Sequence, residues 1–529
     1  MKKIFVVVVL LTAMLLLAAC NRGEETTPSE EGNQPAQDNQ ETTPPDVTTP
    51  PDVTTPAATD ELEPVELIIY FVGDGAPDND DVFAALNVRT SELINTTIRP
   101  LFISWADFGT RYPLVFASGE YFDMIFTAPW SYYVEQALRG GFYPLSMEML
   151  NTYAPELMAK MPDAAMRQAR IGGTVYMVPN IQYEFGHLGL MIRGDLRRAH
   201  DIPEITSLDI FKDYLRAIAN EPGIIPFDTG SEIDIWTIQE LFLLTPNGWA
   251  YPSGDTPLYT YRLDDPSATL FNMSETQEWR EFMDLMVEFN ELGMWRMDAL
   301  TNPNSSIDNF LAGRSGTGIH NMGTVASAWQ EAMTHFPEWE AEVVDATFGG
   351  PTVMNSFISN GMGIRAISQH PERSLMWLNL IRTNQELYDL MMYGIEGRHW
   401  INEGPGAQSM GPDHGNYGGF SNWGFVTQTM RRLSVDEHPN LRTIEESRIA
   451  RAIDAPARHF LFDGSELANE TAAMNNLRLQ YHYMLYLGFD ADWEDTVASL
   501  NTRYDSLGRQ DIVTEFRDQL ATFLYEYTR

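Results

Sequence analysis

The chain has 529 residues, 44% hydrophobic and 12% aromatic, with one cysteine and a formal charge of −40 from 74 acidic against 34 basic side chains. A balance this acidic repels nucleic acid and anionic lipid head groups, which argues against both as partners. A single cysteine leaves no disulfide within the chain and no zinc–cysteine site.

The first segment accounts for that cysteine. Lys2 and Lys3 precede an apolar run, Phe5 to Leu17, broken only by Thr12 and closed by Ala18 and Ala19. This is the layout of a secretory signal peptide over residues 1–19, and it is short for a membrane-spanning helix. Leu17-Ala18-Ala19-Cys20 resembles the bacterial lipobox. That resemblance implies cleavage before Cys20, a diacylglycerol on its sulfur and acylation of the new amino group, with palmitate as the fatty acid. Two or three acyl chains anchor stably where one binds marginally. The expected location is therefore extracytoplasmic, lipid-anchored to the outer face of the bacterial cell membrane.

From Asn21 to Asp60 the chain is rich in Thr, Pro, Glu and Gln, lacks aromatics, and repeats PPDVTT in tandem. Such a stretch cannot bury enough apolar surface to offset its ordering entropy, so residues 20–60 read as a lipidated cysteine and a disordered tether. Fully extended, it would span roughly 120 Å at about 3.1 Å per residue.

The globular part opens with Leu67-Ile68-Ile69-Tyr70-Phe71-Val72, a continuous apolar run suited to a strand covered on both faces. Gly73 to Pro77 break it. A helix should start near Asp78 to Asp81, where acids suit the helix N-terminus, burying Val82, Leu86 and Leu93. A second strand follows around Leu101-Phe102-Ile103, a helix near Tyr112 to Ser118, and a third strand over Asp123-Met124-Ile125-Phe126. This alternation predicts parallel sheets in an α/β fold. About 470 globular residues are too many for one ordinary α/β domain, so two lobes are expected. No Pro- or Ser-rich linker separates them after Asp60, which implies a chain that crosses back and forth.

Four motifs carry a resemblance. ASGEYFDMIFTAPW (Ala117–Trp130) resembles a strand-and-loop motif of the extracellular solute-binding proteins of bacterial ABC importers. GGTVYMVPN (Gly172–Asn180) is similar to that family's hairpin before the first crossover, and NGMGIRAISQHPERSLMWLNLI (Asn360–Ile381) to its return strand and helix. YGIEGRHW (Tyr393–Trp400) resembles a segment of an oligosaccharide-type lipoprotein subgroup. Arg398 and Trp400 stand where that subgroup has lysine and tyrosine, and a Gly- and Asn-rich insert runs from Gly404 to Phe425. The C-terminal stretch from Ser465 resembles the subgroup's helical region.

The resemblance implies a two-lobed periplasmic-binding-protein-like α/β fold of the second class, with hinge crossovers and a helical C-terminal region. Lobe 1 would comprise 61–185 and about 358–390, and lobe 2 would comprise 186–357 and about 391–529. It further implies a monomeric, non-enzymatic receptor that closes over a small solute and delivers it to the transmembrane permease subunits, with no cofactor and no metal.

A pyranose offers an apolar C–H face to Trp or Tyr, while its hydroxyls need acceptors and amides. Loops at the carboxyl ends of strands line such clefts. The candidates are Trp130 and Ser131 after the third strand, and Gln182, Tyr183 and Glu184 at the first crossover. Glu232, Asp234 and Trp236 follow an expected strand at Ile224 to Phe227. Asn321 ends the strand at Gly318 to His320, and Asn355 and Asn360 flank the second crossover. Glu396, Arg398, His399, Trp400 and Trp423 come from the distinctive motif and the insert. A peptide solute of the same fold, a sensor role and a surface glycan hydrolase remain open alternatives. No G-x-S-x-G, Walker, G-x-G-x-x-G or H-E-x-x-H motif is present. The acids of Asp74 to Phe83 read as a helix N-terminus, since a calcium loop would need a mid-loop glycine and a terminal glutamate.

Overall fold

The apolar run at the start of the globular part forms an inner strand of the first lobe's sheet. In the computed structural model, residues 62–527 are described except 187, 231, 253–258, 303 and 454 and the side chains of Glu232 and Ile233. The leader, Cys20 and the tether lie outside the described residues. Strand β1 (Val65–Val72) is buried throughout from Ile69 to Val72. Helix α1 (Asn79–Ile94) carries Asp80 and Asp81 in its first turn, where the helix dipole favours them, and buries Val82, Phe83 and Leu86. Strand β2 (Thr96–Ile103) runs parallel to β1 from Thr96 onward, five residues ahead of the apolar Leu101–Ile103. Its polar first half is tolerated because β2 lies at the sheet edge. Helix α2 (Phe108–Ala117) leads to β3 (Met124–Thr127), parallel to β1 on its other side, and β4 (Met177–Pro179) follows.

The chain then crosses at 181–188 into the second lobe. Its elements are β5 (Gly189–Ile192), α3 (Glu232–Gln239), β6 (Thr317–His320), α4 (Met322–His335) and β7 (Glu342–Asp345). Central β5 is antiparallel to both neighbours, contrary to the parallel sheets expected here. A long helical excursion separates β5 from β6, so no single crossover helix enforces a parallel return. Alternation along the strands sends Leu190, Ile192 and Val344 into one core and Met191 and Val343 into another. The strand expected at Ile224–Phe227 is reduced to one bridge between Ile225 and Ser315. Pro226 has no N–H to give to a ladder.

After a second crossing, β8 (Gly361–Ile364) enters the first sheet antiparallel to β3 and β4, giving the order β2-β1-β3-β8-β4. Helix α5 (Pro371–Thr383) follows. The segment from 391 to 430, expected in lobe 2, packs on the first lobe instead. Phe420 and Phe425 are fully buried there, with Phe420 against Phe71, Phe83 and Phe102. Arg382, fully buried on α5, donates to the carbonyls of Pro179 (2.8 Å) and Val426 (3.2 Å) and so pins the end of this segment. Close approach makes the docking possible. Gly73 has φ +130°, and a Cβ there would overlap the backbone of Gly419 and Phe420.

The third crossing ends in α6 (Asn440–Ala450), which packs Leu441 and Ile444 on the outer core of the second lobe. Helices α7 (Ala468–Tyr486), α8 (Trp493–Ser506) and α9 (Arg509–Tyr527) then cover the inner core, with Trp295 donating to the Leu487 carbonyl at 2.7 Å. Two buried histidines belong to this region. Burial pushes His459 down to about 4 and His482 well below its ordinary value, each aided by a nearby arginine. The folded protein holds them neutral while the unfolded chain takes up protons below about pH 6.5. Stability is therefore fully present above pH 6.5 and falls toward pH 4. His459 alone should account for about 3 kcal/mol at about 1.4 kcal/mol per unit. Thermal unfolding from pH 7 to 4 should show a shallower fall for His459→Phe than for wild type. Parallel curves would refute the assignment.

Candidate solute cleft

The loops leaving β2 and β3 open at the same edge of the first sheet, because these strands flank β1 in parallel. The first loop presents Trp105 and the second Trp130, 47% and 48% exposed. The insert adds Trp423, partly buried. The Trp105 ring lies 6.3 Å from that of Trp130 and 6.2 Å from that of Trp423, at interplanar angles of 26° and 6°. Phe108 and Phe126 support the group from below. The Trp130 indole donates to the Ser359 carbonyl at 2.7 Å, and Asn180 Nδ2 donates to the Trp423 carbonyl at 2.6 Å. The three rings thus form an apolar platform anchored to the first and second crossings. Adjoining exposed tryptophans are costly to leave in water, and such patches mark binding surfaces.

The crossings themselves are bound together. Asn355 donates its N–H to the Glu184 carbonyl at 2.7 Å and accepts from Gly186 N–H at 3.2 Å. Tyr183, 43% exposed, meets Phe357 edge-on at 6.0 Å. Gln182, Glu184 and Asn360 are partly buried beside them. On the second lobe, Trp236 sits edge-on to Tyr251 at 5.8 Å with the Arg478 guanidinium 4.9 Å over its ring. Buried Asp234 accepts from Thr229, Ser306 N–H and Ser306 Oγ, which is a structural role. Glu232 opens α3, and its side chain lies outside the described residues.

Other candidates are placed away from the platform. Ser131 follows Trp130 but is itself fully buried. Asn321 caps α4 by accepting from Thr324 N–H at 2.9 Å. The YGIEGRHW motif is a compact turn. Trp400 is 4% exposed, donates to the Gly394 carbonyl at 3.0 Å and carries the Arg432 guanidinium on its face at 4.8 Å, so no ring face is left for a solute. Arg398 pairs with Asp78 (2.5 Å) and Asp81 (2.7 Å), while Glu396 points to solvent. His399 Nδ1 accepts from Ile395 N–H at 2.9 Å, which leaves the proton on Nε2 facing Asp78 at 3.1 Å. That hydrogen bond, with Arg398 beside it, holds the Asp78 carboxyl below its usual range. Asp78 and Asp81 at the start of α1 are thus bound by the protein's own cations. Trp105 was not among the candidates, although its position just after β2 repeats that of Trp130 after β3.

The chain thus folds as two α/β lobes linked by three crossings, with a group of adjoining tryptophans on the first lobe. The chain is 23% identical to a carbohydrate ABC transporter substrate-binding protein of Streptococcus pneumoniae serotype 4, over 88% of this chain and 92% of that one. Its fold is similar to that of the N-glycan transport solute binding protein NgtS from S. pneumoniae, with a TM-score of 0.72 and 19% identity over 88% of this chain and 99% of that one. The same protein in complex with Man5GlcNAc gives a TM-score of 0.67 at 19% identity, with the same coverage. The alginate-binding protein AlgQ2 is similar at a TM-score of 0.63 and 13% identity, over 88% of this chain and 100% of that one. Residues 456–525, the C-terminal helical region, match a domain of unknown function, DUF3502. Among the described residues no helix is long and apolar enough to cross a membrane.

Proposed function

We propose that this protein is the receptor of an ABC importer, anchored to the membrane through Cys20, and that it captures an oligosaccharide between its lobes and presents it to the permease. The Trp105–Trp130–Trp423 platform carries this reading. Three adjoining indoles, two of them half exposed, supply apolar ring surface on which pyranose C–H faces stack. The carbohydrate transport proteins to which the chain is similar support the same class of solute. The mechanism is passive. Contacts from both lobes favour the closed state, and the closed surface is what the permease recognises. No bond is made or broken.

The test is thermal unfolding of the mature chain, with Cys20→Ser to keep it soluble, against oligosaccharides, peptides and simple anions. A ligand at a hundred times its Kd adds about 2.7 kcal/mol to stability. A shift confined to oligosaccharides is expected, with no hydrolysis product afterwards. Trp105→Ala should then weaken binding by about 1–3 kcal/mol while leaving the unliganded midpoint unchanged. A shift with peptides alone would move the solute class to peptides.

A further inference from the structure

We propose that a cavity on the second lobe's side of the crossings is a subsite for one neutral sugar ring at the end of the solute, gripped by Glu240 and Arg458. The proposal rests on the receptor reading above. The cavity, of about 130 Å³, is walled by Phe185 and Gly186 of the first crossing, by Trp236, Glu240 and Tyr251, and by Arg458 at the start of the C-terminal region. A pocket that encloses a drug-sized ligand measures roughly 300–1,000 Å³, so this one suits a single ring.

Its construction points to binding. Helix α3 runs directly into a π-helical turn, Glu240–Leu244. Such turns are rare and concentrate at functional sites, where the wider turn redirects a side chain. Here it brings the Glu240 carboxylate to the first crossing. Gly186 has φ +63°, and a Cβ there would stand 3.2 Å from Glu240 Oε1. Among the described residues Glu240 and Arg458 take part in no ion pair, and the Arg458 side chain makes one long hydrogen bond, to the Tyr251 carbonyl at 3.5 Å. A carboxylate and a guanidinium left open in an aromatic-walled cavity supply acceptors and donors for ring hydroxyls. Their charges cancel locally, which favours a neutral ring over a uronate. The walls belong to both the crossing and the second lobe, so a ring seated there ties the hinge to that lobe.

Calorimetric titration of the mature Cys20→Ser chain tests this, using neutral and acidic oligosaccharides that include Man1GlcNAc, Man5GlcNAc and alginate oligomers. The probe is the member that binds wild type most tightly. Glu240→Gln and Arg458→Met are each expected to weaken it at least tenfold, with a smaller loss for the oligomer one ring shorter. Two variants on separate elements keep the test open if one lowers the thermal midpoint. Unchanged affinity in both, with binding still lost in Trp105→Ala, overturns the subsite and leaves the receptor reading standing. Absence of binding by wild type across the panel overturns both.

Discussion

Arg448→Ala is expected to lower the unfolding free energy by about 3–5 kcal/mol, the usual loss when one partner of a buried ion pair is removed. The Arg448 side chain is 2% exposed at the end of α6. It donates to Asp345 Oδ1 at 2.7 and 3.0 Å, to the Leu188 carbonyl at 2.5 Å and to the Phe185 carbonyl at 3.4 Å. These acceptors lie on the first crossing and at the end of β7, where the second crossing begins, so one guanidinium at the end of the third crossing ties the three together. Arg451 adds a bond to Asp345 Oδ2 at 2.9 Å and another to the Gly350 carbonyl. Removing Arg448 strands buried carbonyls and half of a carboxylate at the hinge. Arg448→Lys should recover only part of the loss, because an ammonium lacks the planar fork that spans these acceptors. Urea unfolding of the mature chain measures both variants. A loss under 1 kcal/mol for Arg448→Ala would show that the crossings are held by other contacts.

Trp400→Ala is expected to cost about 3–5 kcal/mol of stability, the range for truncating a large buried aromatic. It should leave solute affinity unchanged wherever the variant remains folded. The ring packs against Tyr393 at 5.9 Å and under the Arg432 guanidinium, which also pairs with Asp389 at 2.8 Å. Trp130→Ala should do the reverse, since its ring is half exposed and its removal opens little core. Comparing the two variants by unfolding and by titration separates a structural tryptophan from a binding one. Lost affinity in a folded Trp400→Ala would return the distinctive motif to the cleft.

Sequence pattern made Trp400 and Trp130 look alike. Each follows a motif rich in breakers, and exposure is not written in local sequence. The same limit explains the segment from 391 to 430. Its assignment depended on whether Phe420 and Phe425 meet Phe71 and Phe83, which lie more than 300 positions away in the chain. Trp105 was passed over because a tryptophan beyond a half-polar edge strand shows no periodicity of its own. It gains meaning only from Trp130 and Trp423 beside it.

By itself the sequence determined what local chemistry controls. Burial on both faces made β1 and β3 legible, acids marked the start of α1, and motif order pointed to a two-lobed α/β binder with a helical C-terminal region. Tertiary structure decided the antiparallel second sheet, the arginine shared by the crossings, the docking of the insert and the three-tryptophan platform. Each of these depends on pairings between distant residues. Those pairings arise only when burial and hydrogen bonding are satisfied across the whole chain at once.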